Sequence, residues 1–332
     1  MKNVKFFTII ILSLVLVLAL TACISAKSLK DINVFFIVKA STSNYWQIVK
    51  DGGRHAAEDY GINITFQEAA SEKEVAKQVA ILNTAILTHP DAIVVAPISP
   101  DSLVPGIEKA MDEGIKVIII DSSANTENYI SFLASNNYEG GKIAADTFAS
   151  FMKQKCGKIE GKVGLLGALA GVSSQMDRTN GFLDQIKAKY PGLEPLEVQY
   201  IDNEVAKGID KAKNMFTAHP EDLAGIFGAN DHCADGVIRA IEISGVDISK
   251  MTFIGFDADP MEVDALEKGT IDALIVQRPW NMGYDGVAFA INAIQGVPVA
   301  KYVDTGLAVV TKANMDTVGE SVLNPIEYYK NR

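Results

Sequence analysis

The chain has 332 residues and carries 41 acidic against 30 basic side chains, which gives a formal net charge of −11 at pH 7. This acidic balance argues against nucleic acid and against an anionic membrane surface as binding partners. The length exceeds what one ordinary hydrophobic core needs, so it predicts two domains. The cysteines and histidines show no pair at metal-ligand spacing, which excludes a typical zinc site.

Residues 1–22 are predicted to form a signal peptide. Lys2 and Lys5 precede an apolar run over residues 6–20. The run is too short for a comfortable membrane span, and its basic flank is typical of a secretory signal. Removing the segment takes away two lysines and no acidic residue, so the mature chain has a net charge of −13.

The apolar run ends in Leu20-Thr21-Ala22-Cys23, which resembles the bacterial lipobox. In lipobox proteins a peptidase cleaves before a cysteine whose sulfur carries a lipid. We therefore expect Cys23 to be lipidated and residues 23–31 to form a tether between the membrane and the folded chain. The alternative is an ordinary signal peptide with a chance cysteine.

The first half of the mature chain alternates apolar and amphipathic segments. The apolar segments are rich in β-branched residues, as is typical of strands buried on both faces of a parallel sheet. They lie at Val34–Val38, Ile62–Phe66, Ala92–Ala96, Val117–Ile120 and Ile130–Leu133. Helical spacing predicts helices at Gln47–Tyr60, Glu72–Leu87 and Ser102–Glu113, with Gly114 suited to the position after the last helical turn.

The same alternation restarts in the second half. Strands are predicted at Val163–Leu166, Leu196–Tyr200, Gly225–Phe227, Met251–Phe256 and Ala273–Val276. Two successive sets of βα units predict an α/β fold with two doubly wound parallel-sheet lobes. No Gly/Pro/Ser-rich linker separates the sets, so we expect closely coupled lobes that share a cleft.

Polar residues follow the predicted strands in both halves. These polar strand ends are residues 39–46, 121–123, 168–178, 230–231, 257–259 and 277–280. Open parallel sheets bind ligands beyond the carboxyl ends of their strands. Polar side chains at so many strand ends predict a ligand site in the cleft between the lobes.

Short motifs recur in order along the mature chain. They are Tyr45-Trp46, Lys50-Asp51-Gly52, residues 88–93, residues 134–137, Gly140-Gly141, residues 178–182, Asn230-Asp231, Gly255-Phe256-Asp257 and Gln277. In this order and spacing, the chain resembles the type I periplasmic binding proteins for ribose, galactose and related sugars. The resemblance covers essentially the whole mature chain.

The resemblance implies two lobes joined by three hinge crossovers that close around one sugar. The crossings are expected near residues 135–137, 277–278 and 304–306. The N-terminal lobe then contains residues 32–135 and 278–304, and the C-terminal lobe contains residues 136–277 and 305–332.

The resemblance also implies a set of ligand-binding residues. Planar Asp, Asn, Gln and Arg groups bind pairs of sugar hydroxyls, and an aromatic ring stacks on the apolar face of the sugar. The implied residues are Lys39, Ser43, Tyr45, Trp46, Asp121, Ser122, Arg178, Asn203, Asn230, Asp257 and Gln277. No metal and no cofactor is expected at this site, while a structural calcium, which some galactose-binding relatives hold in an acidic loop, stays open.

Other interpretations of these residues stay open. Asp121 also suits a helix N-cap, and Lys39 could reach solvent from the end of its strand. Core packing is the alternative for one member of the Tyr45-Trp46 pair. Trp280 follows Pro279 in a predicted loop, where it either stacks on the ligand or packs between the lobes.

Three positions depart from the ribose-binding pattern. Ser122 stands where ribose-type members carry an arginine, and Asn203 where they carry a second aromatic residue. Lys39 replaces a serine of some relatives. These departures predict a ligand other than plain ribose. The pairing of Lys39 with Asp121 is also similar to receptors for a furanosyl quorum signal, whose other ligand positions this chain does not match.

These features predict an extracytoplasmic, lipid-anchored, monomeric solute-binding protein that captures a monosaccharide or related polyol by hinge closure and delivers it to an ABC importer. The alternatives are a receptor for the furanosyl signal and a ligand-sensing partner of a membrane histidine kinase. No dinucleotide loop, nucleophile elbow or P-loop is present, so an enzyme is not expected. A repressor with this core would begin with a helix-turn-helix. This chain has the predicted signal peptide and lipobox there instead, so a repressor is not expected.

Cys156 and Cys233 are the two cysteines of the mature chain other than Cys23. An oxidising compartment permits a single disulfide between them, and we expect two buried free thiols instead.

Overall fold

Two β-sheets, each covered by helices, form the cores of two lobes. The computed structural model describes residues 27–330. The predicted signal peptide, Cys23 and the start of the predicted tether lie outside this range. Within it, no helix is long and apolar enough to cross a membrane.

The first lobe is built on a six-stranded parallel sheet. Its strands are β1 (Asn33–Val38), β2 (Asn63–Glu68), β3 (Ala92–Val95), β4 (Lys116–Ile120), β5 (Ser131–Ala134) and β12 (Tyr302–Asp304). They lie in the order β12-β5-β4-β3-β1-β2. Strand β3 is buried along its whole length, as its unbroken apolar run predicts, whereas the edge strand β2 alternates in exposure.

The second lobe is built on a seven-stranded sheet. Its strands are β6 (Gly161–Gly167), β7 (Leu193–Pro195), β8 (Gln199–Tyr200), β9 (Leu223–Gly228), β10 (Thr252–Phe256), β11 (Ala273–Val276) and β13 (Ala308–Thr311). The order is β13-β11-β10-β9-β6-β7, and β8 also pairs with β6. All neighbours are parallel except β13, which runs antiparallel to β11.

The predicted strand over residues 196–200 is wrong as a single element. The chain forms two short strands instead, β7 just before the predicted range and β8 at its end, and both pair with β6. Val163 pairs with Pro195, and Leu166 pairs with Gln199. Three residue steps along β6 therefore correspond to four along the segment that contains β7 and β8. The ladder continues to Leu196, whose N–H donates to the Val163 carbonyl at 2.8 Å, so the extra residue lies between Leu196 and Gln199.

Helices cover both sheets. On the first lobe these are α1 (Asn44–Tyr60), α2 (Val75–Leu87), α3 (Val104–Asp112) and α9 (Pro279–Ile294); on the second, α4 (Asn137–Cys156), α5 (Ser173–Lys189), α6 (Val205–Ala218), α7 (Asp231–Ser244) and α8 (Pro260–Lys268). The last segments are α10 (Met315–Val318), α11 (Glu320–Leu323) and α12 (Pro325–Lys330). Helix α1 begins three residues before its predicted start because the Ser43 side chain caps it. Gly114 follows α3 with a φ of 85°, as expected.

The chain passes between the lobes three times. It leaves the first lobe after β5 to form α4, returns after β11 to form α9, and leaves again between β12 and β13. These crossings confirm the architecture of two lobes joined by three hinge segments.

Helix α12 lies against the first lobe, although the segment after residue 304 is predicted as part of the second. The Tyr329 ring stacks on Trp280 with centroids 3.8 Å apart, and its hydroxyl donates to Asn281. On its other side Trp280 stacks on Tyr284, and its indole N–H donates to Asp51. Trp280 therefore packs between helices and does not line the cleft.

The two described cysteines are free thiols. Cys233 is buried in the core of the second lobe. Cys156, which was expected to be buried, is only partly so because it is the last residue of α4, and its thiol donates to the Lys250 carbonyl.

Candidate ligand-binding site

A small cavity lies between the lobes at the carboxyl ends of the strands. Its wall contains Lys39, Ser43, Tyr45, Trp46, Glu72, Asp121, Ser174, Gln175, Arg178, Asn230, Asp231, Asp257 and Gln277. The structure thus brings together all of the predicted ligand-binding residues except Ser122 and Asn203.

Ser122 and Asn203 are not among the described residues that line the cavity. The buried Ser122 hydroxyl accepts from the Lys39 ammonium and hydrogen-bonds Asp121. Asn203 accepts from the Asn230 amide at 2.9 Å. Both side chains hydrogen-bond neighbours that line the cavity, and their contact with a ligand stays a prediction.

Asp121 and Asp257 occupy matching places in the two lobes. Each follows a central strand, and each backbone N–H donates at 2.9 Å to the neighbouring strand, Asp121 to Leu133 and Asp257 to Ile275. Their φ angles are 64° and 85°, a left-handed region that costs a non-glycine residue about 1–3 kcal/mol. Neither residue caps a helix, so the N-cap interpretation of Asp121 is wrong. The strained turns hold both carboxylates in the cavity wall.

Lys39 and Asp121 form a buried ion pair within the first lobe. The Lys39 ammonium lies 2.6 Å from the Asp121 carboxylate, and Lys39 is 1% exposed. Burial opposes ionisation of Asp121, but the Lys39 charge and hydrogen bond outweigh it and hold the pKa of Asp121 below its usual value. Lys39 therefore does not reach solvent, and the Asp121 carboxylate stays charged at neutral pH.

Arg178 extends from α5 into the wall of the second lobe. Its Nε donates to Asn137 at 2.8 Å, and one terminal nitrogen donates to the Ala229 carbonyl at 3.0 Å. That nitrogen also lies 3.3 Å from the Asp257 carboxylate, and the guanidinium carbon lies 3.9 Å from the centre of the Phe256 ring. The arginine is buried and rigidly held, which excludes a surface role.

Asp257, Gln277 and Tyr45 connect the second lobe to the first. The Gln277 amide donates to Asp257 at 2.7 Å, and the Tyr45 hydroxyl lies 3.4 Å from the Gln277 carbonyl and 3.1 Å from Asp121. Burial raises the pKa of Asp257 to about 6, because it outweighs the opposing effect of Arg178. Burial likewise raises the pKa of Tyr45 well above its usual value. Tyr45 thus presents a neutral hydroxyl as well as a ring to the cavity.

Two helix caps place further polar groups in the wall. Asn230 caps α7 by accepting from the Cys233 N–H, and Ser43 caps α1 by accepting from the Tyr45 N–H. The Ser43 hydroxyl also donates across the cleft to Asp231 at 3.0 Å. Each side chain therefore accepts a hydrogen bond from a free backbone N–H in the first turn of its own helix and also faces the cleft.

Asp231 is paired with His232 at 2.9 Å. Burial opposes ionisation of both groups, but their hydrogen bond and mutual attraction outweigh it. The pKa of Asp231 is lowered, and that of His232 is raised to about 9. At neutral pH the His232 cation therefore offsets the Asp231 charge.

Glu72, Ser174, Gln175 and Asp231 line the cavity but were not predicted as ligand-binding residues. Glu72 was assigned to a helix over residues 72–87, whereas that helix begins at Val75. Glu72 actually lies in the loop after β2, so the rule of polar strand ends applies to it as well. The other three lie within polar strand ends that the sequence did indicate.

Direct contacts across the cleft show that the lobes are closed. The Ser122 hydroxyl meets Ser174 at 2.8 Å, and the Ser123 N–H donates to Ser173 at 3.1 Å. At the rim, Lys73 of the first lobe forms an ion pair with Glu204 of the second. These contacts all join residues of one lobe to residues of the other.

Two lobes that close over a polar cavity define a hinge-type solute-binding protein. Residues 34–298 match the family model described as periplasmic binding protein domain. The chain belongs to the type I periplasmic binding protein family, whose members function outside the cytoplasm.

Individual relatives are transport proteins rather than enzymes. The ribose import binding protein of Escherichia coli (strain K12) is 30% identical over 90% of this chain and 97% of its own length. A carbohydrate transporter solute-binding protein from Agrobacterium radiobacter, in complex with D-arabinose, is 38% identical with a TM-score of 0.85 over 90% of this chain and 100% of its own. An Agrobacterium vitis ABC transporter solute-binding protein with bound D-fucose is 36% identical, with a TM-score of 0.81 over 88% and 99%.

Proposed function

We propose that this chain is a lipid-anchored receptor that captures a monosaccharide or related polyol by hinge closure and delivers it to an ABC importer. The observation that carries the proposal is the polar cavity with walls from both lobes. A ligand that touches both walls stabilises the closed form and shifts the population towards it. The importer can then distinguish the loaded protein by its shape.

The side chains of the cavity suit a neutral polyhydroxylated ligand. Asp121 and Asp257 supply carboxylate acceptors, and Arg178 and Gln277 supply planar donors in the same space. Each sugar hydroxyl donates one hydrogen bond and accepts others, so mixed donors and acceptors satisfy it. Relatives with bound D-arabinose and D-fucose support this ligand class for the present chain.

A thermal-shift screen of the mature protein tests the proposal. The panel contains pentoses, hexoses, deoxysugars and polyols, and we expect the unfolding temperature to rise with the concentration of at least one of them. If no member stabilises the protein at millimolar concentration, sugar binding is refuted. For a ligand that does bind, uptake of the labelled sugar by cells with and without this gene tests delivery to an importer.

The furanosyl quorum signal is a second candidate ligand. The 2.6 Å contact between Lys39 and Asp121 supports it, because the resemblance to such receptors depends on this pair. The same screen separates the candidates when the signal is included, since stabilisation by the signal alone would replace the sugar proposal.

Lipidation of Cys23 makes a separate prediction. We expect Cys23→Ala to move the protein from the membrane fraction to the soluble fraction and to abolish incorporation of labelled palmitate. Cys156→Ala is the matched control, because it removes a partly exposed thiol from the folded domain and leaves the lipobox intact. Membrane association of the Cys23→Ala protein would contradict the lipid anchor.

A further inference from the structure

We infer that Glu72 is a positioning residue that couples closure of the lobes to the orientation of Trp46 in the cavity wall. Its carboxylate holds the indole of Trp46 and, across the cleft, receives the amide of Gln175. The inference rests on the proposed function, because it describes how the same cavity is completed when a ligand closes it.

The contact between Glu72 and Trp46 lies within the first lobe. The indole N–H donates to one carboxylate oxygen of Glu72 at 2.8 Å. The Trp46 ring meets the Tyr45 ring edge-on, with centroids 4.9 Å apart, and lies 5.5 Å from the Lys39 ammonium. Because an indole has one polar hydrogen, an acceptor at this point selects one orientation of the ring.

The contact between Glu72 and Gln175 joins the two lobes. Gln175 extends from α5, and its amide nitrogen donates to the second carboxylate oxygen of Glu72 at 3.3 Å. The orientation of this amide is set by its other end, because its carbonyl accepts from the Leu169 N–H at 2.7 Å. A flipped amide would place two donors together at Leu169, so the nitrogen must face the first lobe.

Glu72 differs from the other carboxylates of the cavity wall in its partners. Asp121, Asp231 and Asp257 each lie beside a cation, namely Lys39, His232 and Arg178.

The hydrogen bonds that Glu72 accepts come from the neutral side chains of Trp46 and Gln175 instead. Burial raises the pKa of Glu72, because the Lys39 charge offsets the effect of burial only in part. When the lobes separate, Gln175 moves away and water replaces it. The bond between Glu72 and Gln175 therefore exists in the closed form alone and favours that form.

Exchanging the two side chains tests this coupling. In Glu72→Gln the new amide still accepts from Trp46 but turns a donor towards the Gln175 amide. In Gln175→Glu a second carboxylate faces Glu72, while its other oxygen still accepts from Leu169. In the double variant Glu72→Gln/Gln175→Glu, the bond forms again with donor and acceptor reversed, and the net charge is unchanged.

We expect each single variant to bind the sugar identified in the screen about 10-fold more weakly, because closure then buries a polar group that has lost its hydrogen-bond partner. The double variant should return to within about 3-fold of the wild-type affinity. The inference would be overturned if the single variants bound the sugar as tightly as the wild type. It would also be overturned if the loss of affinity in the double variant equalled the product of the two single losses. If the wild-type protein bound no sugar, the proposed function and the inference would both fail, whereas wild-type binding with unchanged variants refutes the inference alone.

The fluorescence of Trp46 supplies a readout that a purely structural role would not affect. The chain has two tryptophans, so Trp280→Phe leaves Trp46 as the single reporter. In that background the sugar-induced change in emission should be reduced in both single variants at saturating sugar and restored in the double variant. An emission change that is equal in all four proteins would contradict the coupling of closure to Trp46.

Discussion

Arg178→Ala is expected to weaken sugar binding by about 2–4 kcal/mol, which corresponds to roughly 30- to 1000-fold in dissociation constant. The guanidinium contacts Asn137, Ala229 and Asp257 and lies over Phe256, so its position is fixed before a ligand enters. A donor that is held in place loses little entropy on binding, and its contribution to affinity is correspondingly large. Isothermal titration calorimetry of the wild-type and variant proteins measures the loss.

The same substitution also removes the cation beside Asp257. Burial already raises the pKa of Asp257 to about 6, and without Arg178 it should rise further. The affinity of Arg178→Ala should therefore improve relative to wild type as the pH falls from 8 to 5, since a protonated Asp257 no longer leaves an unpaired buried charge.

Arg239→Ala is the matched control for Arg178. Arg239 lies on the exposed face of α7, where it pairs with Glu242 one turn away. Its loss should leave sugar affinity within error of wild type. Equal affinity of Arg178→Ala and Arg239→Ala would show that the ligand does not use the second-lobe wall as proposed.

The two lobes could be predicted from the sequence because strands buried on both faces read as unbroken apolar runs. The β3 and β4 segments show this pattern and were located within one residue of their observed bounds. The position of the cavity followed from a second general rule, that polar residues after parallel strands converge. Lys39, Asp121 and Asp257 were identified in this way, although they are 82 to 218 residues apart in the sequence.

The roles of individual side chains were harder to predict. Ser122 and Asn203 follow strands as ligand-binding residues do, yet each is used in a hydrogen bond to a neighbour. Glu72 was missed because its helix was predicted to start three residues too early. For Ser122 and Asn203 the outcome depends on which hydrogen-bond partner folding brings near, and short-range sequence patterns do not contain that information.

The packing of α12 on Trp280 could not be predicted for a related reason. Tyr329 and Trp280 are far apart in sequence, and their stacking depends on how the chain returns after its last crossing. A proline before a tryptophan indicates a loop or a first helical turn equally well. The structure shows the second case, since Pro279 begins α9.

Lys39→Met is expected to lower the free energy of unfolding by about 3–5 kcal/mol, the range for removing one partner of a buried ion pair. Methionine fills much of the space of the lysine stem but leaves the Asp121 carboxylate buried without its cation. The double variant Lys39→Met/Asp121→Asn should recover most of the loss, because neither charge is then buried. Asparagine also tolerates the positive φ of this position. Urea unfolding of both variants and of the ligand-free wild type measures the difference.

The pH dependence of the same variants separates this ion pair from simple loss of packing. In the wild type the folded-state pKa of Asp121 is lowered, so the stability it contributes is present above its unfolded pKa of about 3.8 and is lost as the pH falls. In Lys39→Met the buried carboxylate lacks a cation, its pKa rises, and the destabilisation should shrink as the pH falls towards 4. Lys268→Met, at an exposed pair with Asp264, should match the wild type throughout. A destabilisation of Lys39→Met that stayed constant with pH would mean that the lysine stabilises the first lobe by packing and not by neutralising Asp121.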